Sequence, residues 1–269
     1  MDGVEAKIRR AQTHLDDFKT RFEDTLKKHS QTFPIEPDVQ PDYHIMRLYG
    51  VPAIDPEWSL IVGDCIHNIR SALDHLAWRL VELDGGTPAE RTQFPIKEAP
   101  VKGRGSSILG APIDPPIHRG DIRKLIEEVQ PYNIGNRPGS SGATYRDDSL
   151  WRINKLDNID KHRLMLLLAT IPELNELEWA RHPDIVSLEL PFEALVDGAE
   201  VARFQFRNGQ LPADYDPHPT IQIALNERVT APHFLTYHLP WALGNLIVYV
   251  DHIVLGDKRL CSGFRQFFP

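Results

Sequence analysis

Residues 63 to 80, GDCIHNIRSALDHLAWRL, place two histidines, two arginines and two aspartates in a run that otherwise suits a buried helix. At about 100° per residue, Ile66, Ile69, Leu73, Leu76 and Leu80 share one side and form a core face. Asp64, His67, Asn68, Ser71, Asp74, His75 and Trp78 fall mostly on the other. His67, Arg70 and Asp74 are three and four apart, so their side chains can touch; Ser71, His75 and Trp78 form a neighbouring row by the same rule. The chemistry available is anion binding by Arg70, whose planar fork suits phosphate, and proton transfer by His75. The structural alternative is an ordinary i,i+4 ion pair between Arg70 and Asp74, worth about 0.3–0.5 kcal/mol. Arg70 and His75 lie about 140° apart on a straight helix, so they converge on one ligand only at a helix end, a kink or a dimer interface.

A second knot of charge, NIDKHR at 158 to 163, falls where a helix gives way to strand-like sequence. Asp160, Lys161, His162 and Arg163 either complete a polar site with the first helix or, for Lys161 and Arg163, neutralise the carbonyl end of their own helix. Convergence of the two knots would favour function, because independent groups of ionisable residues rarely meet by accident. His67, Asp74, His75 and His162 include good metal donors, yet no His-Glu-x-x-His or similarly fixed spacing occurs, and no metal or other cofactor is expected. His218, His233 and His238 read as surface histidines. There is no Gly-x-Ser-x-Gly elbow, and Cys65 has no evident reason to be a thiolate.

The segment R-S-A-L-D-H, residues 70 to 75, resembles the Arg-x4–6-His signature of the HEPN superfamily, with a polar residue directly after the arginine. That resemblance implies a small helical bundle and a metal-independent ribonuclease acting as a homodimer, with two motifs lining one cleft. It implies that Arg70 holds the scissile phosphate. His75 then serves as general base or acid for attack by the RNA 2′-hydroxyl, with Ser71 in support. Here much of the chain follows the motif, including strands that the simple fold lacks. The wider pattern, G-D-x-x-H-N-x-R-S-A-L-D-H followed by Q-P-Y and N-I-D-K-H-R, is similar to a family of bacterial and phage-encoded hypothetical proteins and implies no chemistry. Two functions of different class follow. One is an endoribonuclease, in phage defence or a toxin system, with Arg70 and His75 catalytic and His67, Ser71, Asp74, Asp160, His162 and Arg163 supporting. The other is a non-catalytic binding module whose polar helix organises the fold.

The elements that must position these residues are legible in outline. Ile8, Leu15, Phe18, Phe22 and Leu26 mark one face of a helix within 1–30. Residues 31 to 41 hold three prolines and read as an extended connector, and 43 to 50 as a short strand. Asp55 is a fair N-cap and Pro56 suits the first position of a helix running to Leu83, closed by Asp84-Gly85-Gly86. GRGSSILGAPIDPP reads as surface loop, and 136 to 147 as a flexible one. Helical sequence spans about 121–160 with Pro131 ending its first part and Asp148 opening its second. Strand-like runs over about 163–230, with Asp197-Gly198 and Asn208-Gly209 as turns, predict an antiparallel meander. Pro240 opens a last helix to about 256, expected to pack on the first. The prediction is α+β: a helical bundle with an added small antiparallel sheet, as one domain over 1–269.

Composition agrees with a globular chain, at 41% hydrophobic and 25% charged residues. The net charge of −8 argues against a broad basic surface for nucleic acid, though not against a local groove. Two cysteines without a C-x-x-C pair fit a reducing cytoplasm. The charged start MDGVEAKIRRAQ is unlike a signal peptide, and the apolar late run is interrupted by Asn245, Asp251 and His252, so no membrane partner is expected.

Overall fold

A computed structural model describes residues 1–100, 113, 116–165, 167–170, 178–190, 195–217, 219, 221–225, 239–256 and 261–268. The elements run α1 (Asp2–Lys28), β1 (Ile35–Pro37), β2 (Tyr43–Leu48), α2 (Pro56–Leu83), α3 (Gly120–Glu128), α4 (Ser149–Asp160), β3 (Leu167–Thr170), β4 (Ile185–Glu189), β5 (Ala199–Phe206), β6 (Gln222–Leu225) and α5 (Leu239–Leu255). The fold is α+β. Most of the GRGSSILGAPIDPP stretch, with His218, His233 and His238, lies outside the described residues.

α2 is the centre of the helical part. Its entrance is fixed as the sequence requires: the Asp55 carboxylate accepts from the Glu57 N–H at 2.9 Å and Pro56 occupies the first turn. Its exit uses Gly85 at φ 80°, a left-handed conformation that a side chain would strain. Ile66, Ile69, Leu73, Leu76 and Leu80 are all buried. α1 packs along this helix through Ala11, Leu15, Phe18 and Phe22, with Trp58 edge-on to both phenylalanines at 6.1 and 5.8 Å. α4 and α5 cover further sides of α2, and α1 also packs on α5 as expected. The helical stretch 121–160 is two helices, joined by short 3₁₀ turns. That joining segment is anchored by Arg137, whose guanidinium donates to the Asp148 carboxylate at 2.5 Å, the Tyr249 hydroxyl at 2.7 Å and the carbonyls of Val129 and Gln130.

The sheet departs from the predicted meander. Its order is β1-β2-β5-β4, all antiparallel, and β3 leaves it to pair with β6. Among the described residues β5 is the longest strand, and its buried face includes Ala202, Phe204 and Phe206. It needs neighbours on both edges, and β2 supplies one with Ile45, Met46 and Leu48, all buried. The connector before β2 contributes β1, where Pro37, lacking an N–H, is tolerated because the strand is an edge. The sheet therefore draws strands from both sides of α2, not from 163–230 alone. The Asp197-Gly198 turn is where expected, with Gly198 at φ 82°, and the Asp197 carboxylate accepts from the N–H of Gly50 at 2.6 Å. Among the described residues no helix is long and apolar enough to cross a membrane.

Candidate functional site

Arg70 sits inside the protein, 5% exposed. One guanidinium nitrogen donates to Asp74 Oδ1 at 2.6 Å and the other to the Phe94 carbonyl at 3.1 Å. The Phe94 N–H donates back to the same Asp74 oxygen at 2.9 Å. The pair thus clamps both backbone groups of Phe94, whose ring is buried edge-on against Phe264 at 6.1 Å. Burial raises the Asp74 carboxyl above its usual range, and Arg70 works against that shift. The open anion site expected at Arg70 is replaced by a closed one, because a loop twenty residues downstream needs its backbone satisfied. To hold a phosphate, Arg70 would have to release Asp74 or Phe94.

The two charged knots do meet, one turn of α2 earlier and through a residue the sequence reading omitted. His67 Nδ1 lies 3.0 Å from Asp157 Oδ1, and the other Asp157 oxygen pairs with Lys161 Nζ at 2.6 Å. The Asp157 side chain is 2% exposed, whereas that of His67 is 50% exposed. An ionised carboxylate only accepts, so the neutral imidazole carries its proton on Nδ1 and leaves a lone pair on Nε2. Ser71 Oγ stands 3.5 Å from that Nε2. Asp160 comes in beside the pair: a Cβ built on Gly63 would fall within 3 Å of all three atoms of its carboxylate group. Burial first, then the charges of Asp157 and Asp64, raise the Asp160 carboxyl; His67 and Lys161 oppose the rise. His162 and Arg163 are exposed past the end of α4, where their N–H groups cap the Ile159 carbonyl at 3.0 and 2.9 Å. Asp157 was detectable in principle. It lies four residues after the buried Ile153, so it falls beside the apolar stripe of α4 and is an ionisable group aimed at the core.

Further along α2, His75 opens onto a cleft of about 730 Å³ lined also by Asp74, Trp78, Arg79, Arg91 and Gly3. The first turn of α1 approaches so closely that a Cβ on Gly3 would stand 2.6 Å from His75 Nδ1. Trp78 is 42% exposed; its indole N–H donates to one oxygen of Glu82, and Arg79 donates to the other. His67, Ser71, Asp74, His75 and Trp78 lie within about 100° of helix arc, forming one polar strip. At a rise of about 1.5 Å per residue, the two histidines are about 12 Å apart along it, too far to act on a single phosphorus atom.

Among the described residues no three His, Cys, Asp or Glu side chains are grouped to hold a metal ion. Cys65 donates to the Ala11 carbonyl, and burial pushes its thiol up to about 12, so it is inert as a nucleophile at neutral pH. No family model matches this chain, and neither a curated protein nor a solved structure matches it, so the chemistry of the strip must be argued from its own geometry.

Proposed function

We propose that the polar strip of α2 cleaves RNA without a metal, with His67 as the proton-moving group. The observation that carries this reading is a half-exposed imidazole fixed from behind by the buried Asp157, which Lys161 also pairs, with its Nε2 meeting only the long 3.5 Å contact of the Ser71 hydroxyl. His67 Nε2 takes the proton of an RNA 2′-hydroxyl as that oxygen attacks the adjacent phosphorus. The bond from phosphorus to the 5′ oxygen breaks, and the departing oxygen takes a proton from water. The products are a 2′,3′-cyclic phosphate and a 5′-hydroxyl end. Lys161, held by Asp157, offsets charge that develops on the phosphoryl oxygens. Arg70 then serves the fold, holding Asp74 and the Phe94 backbone. The RNA substrate and a homodimer are what the HEPN resemblance implies; light scattering of the purified protein tests the dimer.

A second reading, a non-catalytic binding module, is favoured by the Arg70–Asp74–Phe94 clamp, which consumes the motif's arginine in holding the fold. One experiment separates the two. Mixed RNA is incubated in EDTA with the wild type, His67→Ala and His75→Ala. Cleavage by the wild type, a loss of about 100-fold or more in His67→Ala and a smaller loss in His75→Ala support the proposal. A larger loss in His75→Ala moves the proton transfer there, and loss in EDTA assigns it to a metal. No cleavage by folded wild type leaves the binding module.

A further inference from the structure

The cleft beside His75 is separate from the His67–Asp157 pair and plays no part in the proton transfer described above. Its volume of about 730 Å³ is in the range of small-molecule sites. Three chemistries line it. Trp78 offers a partly exposed aromatic face. Asp74 and Glu90 provide carboxylates; both hydrogen bonds to Asp74 fall on Oδ1, so Oδ2 is the oxygen left to accept from a ligand. Arg79, half-exposed and paired with Glu82, provides a cation on the same walls.

An aromatic plane, an acceptor-rich wall and a guanidinium group match a base, its edge and its phosphate. Among the four RNA bases, guanine alone presents two adjacent donors, N1–H and N2–H₂, on one edge. Carboxylates accept such donors, and arginine suits the phosphate. Stacking of a base on an aromatic side chain accepts any base, so the carboxylates must supply the selection.

We propose that this cleft binds a guanine nucleotide, with the base on Trp78, its amine edge on Asp74 Oδ2 and Glu90, and its phosphate on Arg79. The inference deepens the RNA reading by naming a subsite about 12 Å along the strip from the cleaving group. It is tested apart from cleavage. Calorimetry on the full chain compares GMP, IMP, which lacks only the N2 amine, and UMP. The expected order is GMP tightest, IMP at least about fivefold weaker and UMP weaker still. Trp78→Leu, at an exposed position, melts as the wild type does and weakens GMP at least about fivefold. Arg79→Ala weakens GMP more than guanosine. A short RNA with a single guanosine, compared with one lacking it, distinguishes a strand subsite from a site for free nucleotide. No GMP binding, equal binding of GMP and IMP, or unchanged binding by Trp78→Leu overturns the inference, even if RNA is cleaved. GMP binding without RNA cleavage overturns the nuclease reading and leaves this one standing.

Discussion

Arg70–Asp74 and His67–Ser71 are both i,i+4 pairs on the polar side of one helix, three residues out of step. One pair is closed and the other open. Arg70 meets the backbone of Phe94 and is buried, its donors used within the protein. His67 meets a buried carboxylate from α4 through one nitrogen, is half-exposed, and meets only the distant Ser71 hydroxyl through the other. Identical spacing therefore has opposite consequences, decided by what packs across from it. A guanidinium with a loop backbone against it becomes a clamp; an imidazole held from behind stays half-exposed.

The largest expected difference between the pairs is in stability. Arg70→Ala removes the charged partner of Asp74, leaves the Phe94 carbonyl unmatched and costs about 3 kcal/mol in denaturant unfolding. Arg70→Lys recovers little, because one ammonium cannot reproduce the two-pronged contact. His67→Ala costs under about 1 kcal/mol, since a half-exposed pair contributes little. Equal costs would erase the distinction between clamp and open site.

Next in size is the approach of α4. Gly63→Ala drives a methyl into the Asp160 carboxylate and costs about 1–3 kcal/mol. In an Asp160→Ala background the same change costs less. Additive costs would show that Asp160 is not what Gly63 accommodates.

A smaller effect depends on pH. The folded state raises the Asp160 carboxyl, so it binds more protons than the unfolded chain between the ordinary aspartate range and the raised value. Its contribution favours the fold at low pH and is lost as pH rises through the folded value. Asp160→Asn is accordingly expected to melt slightly higher than wild type at pH 7 and to converge with it near pH 3. A gain largest in acid would reverse the sign and the cause. Smallest of all, Ser71→Ala changes stability by less than about 0.5 kcal/mol, as expected of a long, partly exposed contact.

The sequence carried the local features and lost the distant ones. Asp55, Pro56 and the Asp84-Gly85-Gly86 exit bound α2 because capping and φ preferences act within a few residues. The core face of α2 was readable from its period. The strand character of 43–48 was readable too, but not its pairing with 199–206, which no local pattern specifies. The same limit applies to the site. His67, Ser71 and Asp160 could be picked out by type, but Asp157 was hidden beside an apolar stripe. Gly3 and Gly63, which admit neighbouring elements, carried no chemical signal of their own.

The pairing of β2 with β5 has a consequence for biosynthesis. A strand bearing Ile45, Met46 and Leu48 leaves the ribosome long before Phe206, the end of its hydrogen-bonding partner. At about 5–20 residues per second, roughly 10 to 30 seconds pass with that apolar edge unmatched. The nascent chain can dock α1 against α2 in that interval, but the strand between them must wait, sheltered by a chaperone or exposed to aggregation.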